Sequence, residues 1–155
     1  MLCTSSIIFG PHGPYLEMRR FRFAQTLVAE GPRGALPVWV AETFGQRLLG
    51  LAGLAENHPA VACRGLLIPA CASVHTWGMR FAIDVAFLEW PTTGQCEVLY
   101  LCEEVAPLRR VRLPDGRAHR TAVLEAPAGA LTEALGVDPA VAYPAVNFRA
   151  CPQST

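Results

Sequence analysis

Short apolar runs of strand length, separated by Gly-, Pro- and Arg-rich breaks, follow one another along the chain. Residues 21–29 (FRFAQTLVA) alternate apolar with polar in part and predict a strand. Residues 36–42 (LPVWVAE) predict a second, with Pro37 marking a sheet edge. In ETFGQRLLGLAGL, Phe44, Leu48, Leu51 and Leu54 fall near helical spacing, but Gly45, Gly50 and Gly53 break it, so the reading is a short or interrupted helix. Asn57-His58-Pro59 signals a loop. Strands follow at GLLIPA, ASVHTWG and IDVAFLEW from residue 65 onward. In the last of these, Val85 and Phe87 share one face and Ala86 and Leu88 the other, so both faces must be covered.

Pro91 to Gln95 reads as a hairpin loop into the strand CEVLYLCE. Residues 105–120 are less regular and carry a Pro114-Asp115-Gly116 turn. TAVLEAP predicts another strand, AGALTEALG a short helix stopped at Gly136, and Val141 to Phe148 a Pro-interrupted strand. The sum is a mainly β, compact single domain, a β-sandwich or flattened barrel with one or two short helices.

Composition narrows the function classes. At 155 residues and 52% hydrophobic, the chain has enough material for one core without a metal or disulfide staple. Thirteen basic residues balance thirteen acidic ones, which argues against whole-chain capture of nucleic acid or an anionic membrane. Every basic residue is arginine, a bias that fits a GC-rich genome. Residues 1–18 have no Lys or Arg before Arg19, and Ile7-Ile8-Phe9 stops at Gly10-Pro11, unlike a secretory signal. The expectation is a disordered leader or a true start at Met18, one domain over 19–148, a tail over 149–155, and a cytoplasmic protein.

The six cysteines stand at 3, 63, 71, 96, 102 and 151 with no C-x-x-C and no zinc-ribbon spacing. Cys63, Cys71, Cys96 and Cys102 are read as small apolar core or edge residues. Cys71 and His75 on one extended strand would lie about 13 Å apart, against the ~4 Å or less that a shared zinc ion needs.

The most informative stretch is SVHTWGMRFAIDVAFLEW at 73–90, which gathers His75, Thr76, Trp77, Arg80 and Asp84 at the mouth of a buried strand. If 73–79 is extended, Ser73, His75, Trp77 and Met79 share a face. Arg80 and Asp84 then either pair or leave Asp84 to accept backbone N–H groups. Polar residues at such a place serve architecture by satisfying buried groups, or bind a ligand where His, Arg and an aromatic converge. The sequence weighs both.

The motifs GQRLLGLAGL at 45–54, RGLLIPACASVHTWGMRFAIDVAFLEW at 64–90 and AVLEAPAG at 122–129 resemble the family called domain of unknown function 192. The resemblance spans about residues 36–142 and implies a compact β-rich domain. It implies no reaction. Carried over position by position, the family's polar signature falls on Arg47, His75, Thr76, Arg80, Asp84 and Glu125. Where many relatives place an Arg after Gly-Leu-Met-Gly, this chain has Leu54.

LRRVRLPDGRAHR concentrates Arg109, Arg110, Arg112, Arg117 and Arg120 with His119. Guanidinium forks suit phosphates and carboxylates, yet no aromatic lies between Tyr100 and Tyr143 to stack bases. The favoured reading is a solvated charged hairpin. The functional expectation is a non-catalytic, cofactor-free, metal-free monomer. It would bind a small anionic molecule or a peptide near His75 to Asp84, through Arg47, His75, Thr76, Trp77, Arg80, Asp84 and Glu125. The alternatives are an accessory protein that engages a partner through Arg109–Arg120, and a metal- or thiol-dependent enzyme. Neither membrane nor nucleic acid is expected as a partner.

Overall fold

A computed structural model describes residues 26–58, 61–62, 64–90, 95–114, 118–136 and 145–151. Its frame is a closed seven-stranded barrel. The strands are β1 (Thr26–Gly31), β2 (Gly34–Val40), β3 (Gly65–Ile68), β5 (Ile83–Glu89), β6 (Gln95–Val105), β8 (Thr121–Pro127) and β9 (Ala145–Ala150). Around the wall they run β1-β2-β3-β8-β5-β6-β9 and close through the β1–β9 pairing. Closure leaves no long edge exposed. β2 and β3 pair in parallel and the other barrel pairs are antiparallel.

The doubly apolar strands of the sequence are where this wall is covered on both sides. Ala86 and Leu88 of β5 and Ala122, Leu124 and Ala126 of β8 point into the barrel core. Ile83, Val85 and Phe87, with Val123, point outward into a second core. Among the described residues there are two short α-helices. α1 (Phe44–Leu49) starts at Thr43, whose hydroxyl accepts from the Gln46 N–H while the Gln46 side chain answers the Thr43 N–H, a capping box. It ends at Gly50, and the following Leu51 and Leu54 are buried in the outer core. α2 (Ala130–Leu135) sends Leu131 and Leu135 into the barrel core and plugs one end.

A separate ribbon of β4 (Ser73–His75) and β7 (Arg110–Arg112) lies over the outer core. The ASVHTWG strand expected from sequence is cut short at His75. Thr76 turns the chain, Met79 N–H returning to its carbonyl at 3.2 Å, with Gly78 at φ +78°. Met79 therefore dives into the outer core, whereas Trp77 stays outside. β1 is described from Thr26 and β9 from Ala145; residues 21–25, 91–94, 115–117 and 141–144, with Cys3, Cys63 and the leader, lie outside the described residues. Among the described residues no helix is long and apolar enough to cross a membrane.

Candidate functional site

The seven candidate residues separate into two that build the fold, two that act on Cys71 and three on β4 or in the turn that follows it. Asp84 and Thr76 are the builders. Asp84 has no exposed surface; Oδ1 accepts from the Glu104 N–H at 3.1 Å and Oδ2 from the Gly129 N–H at 2.8 Å. Gly129 is the N-cap of α2 and has no side chain, so a carboxylate from the neighbouring strand supplies the cap. Burial pushes the Asp84 carboxyl up, opposed by the backbone N–H groups of Glu104, Leu131 and Gly129. Of the two fates the sequence allowed Asp84, it accepts backbone N–H groups, though from distant segments and not from its own turn.

Thr76 is likewise fully buried. Its hydroxyl donates to the Ala106 carbonyl and accepts the Arg109 N–H, each at 2.8 Å, while its own N–H meets the Arg109 carbonyl at 2.9 Å. One threonine thus ties the turn after β4 to the 106–109 loop before β7.

Glu125, on the outer face of the wall, and Arg47, on α1, both act on Cys71. Glu125 lies opposite Leu66 and Val85 in the sheet and is 2% exposed, yet its Oε2 has no hydrogen-bond partner. Burial pushes its carboxyl up to about 8, so it is mostly protonated at neutral pH. Gly50 (φ +51°) roofs it: a Cβ there would stand 3.1 Å from Oε2. Arg47 on α1 donates to the Ala70 carbonyl at 2.8 Å. Next to that carbonyl, the Cys71 thiol donates to the Ser73 carbonyl at 3.1 Å. Burial pushes the Cys71 thiol up, partly offset by the Ser73 hydrogen bond and the Arg47 charge, while Glu125 adds to the rise. It rests as a thiol, which is a poor nucleophile. Among the described residues no three His, Cys, Asp or Glu side chains group closely enough to hold a metal ion.

Of the remaining three, His75 is on the ribbon, and Trp77 and Arg80 follow it in and after the turn that ends β4. β4 and β7 pair antiparallel with Ser73 opposite Arg112, Val74 opposite Val111 and His75 opposite Arg110. Val74 and Val111 pack on the outer core, so by strand alternation Ser73, His75, Arg110 and Arg112 take the solvent side. Arg110 Nε donates to the Ser73 hydroxyl at 3.3 Å. Trp77, 59% exposed, stacks on the His75 ring at 5.0 Å between centroids, and His75 Nδ1 is shielded and without a partner. Arg80 is exposed.

Sequence reasoning treated the His75 segment and the Arg109–Arg120 segment as rival sites, but the sheet joins them. The three-residue strand RVR was legible only as alternation, a signal too short to separate from a loop. Gly50 was legible only as a helix breaker, not as the cover over Glu125. Glu125 had one, an acid inside an otherwise apolar strand.

The fold is a closed barrel with a basic ribbon laid on its outer core. The chain belongs to the family domain of unknown function 192, described as an uncharacterized ACR, whose model matches residues 25–140. No curated protein matches it. Two solved structures are similar in fold. A protein of unknown function from Novosphingobium aromaticivorans DSM 12444 is 17% identical, with a TM-score of 0.57 over 80% of this chain and 83% of that one. A candidate transcription regulator from Sinorhizobium meliloti 1021 is 18% identical, with a TM-score of 0.56 over 81% and 92%.

Proposed function

We propose that the chain is a binding domain, with no covalent chemistry of its own, that takes an anionic group on the outer face of the β4–β7 ribbon. The observation that carries this reading is the register that sets His75 opposite Arg110 and Ser73 opposite Arg112. It brings two guanidinium groups, an imidazole and a hydroxyl to one solvent-facing strip, a donor set matched to phosphate or carboxylate oxygens. Trp77 supplies an apolar wall beside it. The resting state of the Cys71 thiol favours binding over thiol catalysis.

Titrating the protein with inorganic phosphate and small phosphate esters, followed by backbone amide NMR, tests the reading. Shifts should concentrate on 73–77 and 109–112 and weaken about ten-fold or more in Arg110→Ala, the loss of one charged hydrogen-bond pair. Shifts spread evenly over exposed arginines, or unchanged in Arg110→Ala and His75→Ala, would refute it.

A further inference from the structure

The loops flanking the ribbon display apolar side chains that the fold does not use. Leu108 is 73% exposed and sits in the left-handed region at φ +62°, a conformation a leucine adopts only under constraint. The constraint is visible: Leu108 N–H donates to the Thr76 carbonyl at 3.1 Å, and the Thr76 hydroxyl grips Ala106 and Arg109 on either side of it. Trp77, the residue after Thr76, is the other exposed apolar side chain of this clamp. Beside it, Gly53 N–H donates to the Gly78 carbonyl at 2.9 Å and a Cβ on Gly78 would touch Ala52. The Trp77 turn is thereby joined to the turn that follows α1. None of α1's residues is buried, and Phe44 (80%), Leu48 and Leu49 (50% each) are exposed.

Five large apolar side chains on adjoining segments exceed the scattered exposure of an ordinary surface. Exposed arginines stand among them: Arg47 on α1, Arg80 after the Trp77 turn, Arg109 next to Leu108, and Arg110 and Arg112 on the ribbon. The exposed acids near in sequence are Glu42, Glu56, Glu103 and Glu104. Glu103 is engaged with the Thr132 hydroxyl at 2.8 Å. The local balance is positive although the whole chain is neutral.

We propose that this face docks on an anionic lipid surface, with Trp77 and Leu108 entering the interface and the ribbon arginines on headgroup phosphates. The idea rests on the anion reading above and names the anion's source. A lipid surface is favoured because the apolar groups sit on turns and an unburied helix, and tips need only a soft boundary, with guanidinium groups meeting its negative potential. Trp is also the side chain suited to the water–hydrocarbon boundary.

The full chain should sediment with vesicles of phosphatidylcholine and phosphatidylserine mixed two to one, and not with phosphatidylcholine alone. Trp77→Ala and Leu108→Asp should each lower the partition about ten-fold or more, the burial of one large apolar side chain. Arg110→Ala should lower it about five-fold, the share of one basic residue near such a surface. Circular dichroism of each variant establishes that it is folded. Failure to sediment, or sedimentation indifferent to Trp77→Ala and Leu108→Asp, overturns the lipid proposal. So does binding of a poly-glutamate peptide with the same Trp77 and Leu108 dependence in the absence of vesicle binding. If vesicles fail while inorganic phosphate still shifts the ribbon amides in an Arg110-dependent way, the lipid source is wrong and the anion site stands. If both fail, both readings fall.

Discussion

Asp84 and Glu125 are buried to the same degree on two paired strands of one barrel wall, and they live opposite lives. Asp84 turns inward to the plugged end and accepts two backbone N–H groups, one of them at the start of α2. Glu125 turns outward, under a glycine, and its Oε2 accepts nothing. A buried polar group with partners stabilises the fold it belongs to, whereas one without them costs about 1–3 kcal/mol and persists only if something else requires it. The pair therefore divides the polar signature into groups the fold needs and groups it merely tolerates. Thr76 falls with Asp84. Leu108, in its strained conformation, falls with Glu125.

Removing Asp84 should do the most damage. Asp84→Ala strands the N–H groups of Glu104 and Gly129 and should cost about 3–5 kcal/mol in urea unfolding, as two hydrogen bonds to a charged group are lost. α2 should loosen first, seen as faster amide exchange at Leu131 and Leu135. A loss below about 1 kcal/mol would break the contrast, because Asp84 would then be as dispensable as Glu125.

Glu125 should behave in the reverse sense, and pH reveals it. Its carboxyl binds a proton more tightly in the folded protein, up to about 8 against an ordinary 4.5. Below 4.5 the group is protonated in both states and contributes nothing to the pH dependence. Between 4.5 and 8 the unfolded chain has released the proton that the folded chain retains, so stability falls by about 1.4 kcal/mol per pH unit, and it levels off above 8. The burial of Asp84 pushes in the same direction. Glu125→Gln should flatten most of this slope and be more stable than the parent by about 3 kcal/mol at neutral pH. Denaturant midpoints from pH 5 to 9 check it, and an unchanged slope in the variant would put the titration elsewhere.

These two carboxyls also mark how far a sequence carries. The doubly apolar run IDVAFLEW foretold a strand covered on both faces, and β5 is one, because strand alternation is a local property. The mainly β fold and the two short α-helices among the described residues followed from the same patterns. What stayed hidden is non-local. Nothing in the spacing of Asp84 announces that its partners are Glu104 and Gly129, since both are backbone groups brought in by other strands. Nor does LRRVRLP announce that its central three residues pair with SVH some 37 positions earlier, as Val111 does with Val74. A turn forced by Thr76 and Gly78 took Met79 away from the face that simple alternation gave it.

Thr76→Val sharpens the division at smaller scale. It keeps the volume but leaves the Arg109 N–H and the Ala106 carbonyl without their hydroxyl partner, at a cost of about 2 kcal/mol. The 106–109 loop should lose order while the barrel keeps its own. NMR order parameters that fall at 106–109 and hold at 84–88 would place Thr76 in the ribbon's architecture alone. An equal fall in both would make it part of the barrel as well.

Leu108→Gly has the smallest effect on stability and the sharpest bearing on why the clamp exists. At φ +62° a leucine is strained by about 1–2 kcal/mol relative to a glycine, which in turn loses about 0.5–1 kcal/mol more backbone entropy on folding. The two nearly cancel, so the variant should melt within a degree or two of the parent, or slightly above it. A side chain 73% exposed contributes little packing that could tip this balance the other way. If the melting temperature holds while binding to anionic vesicles is lost, Leu108 is kept for what lies outside the molecule. A clear fall in melting temperature would instead give Leu108 a structural partner and move it to Asp84's side of the comparison.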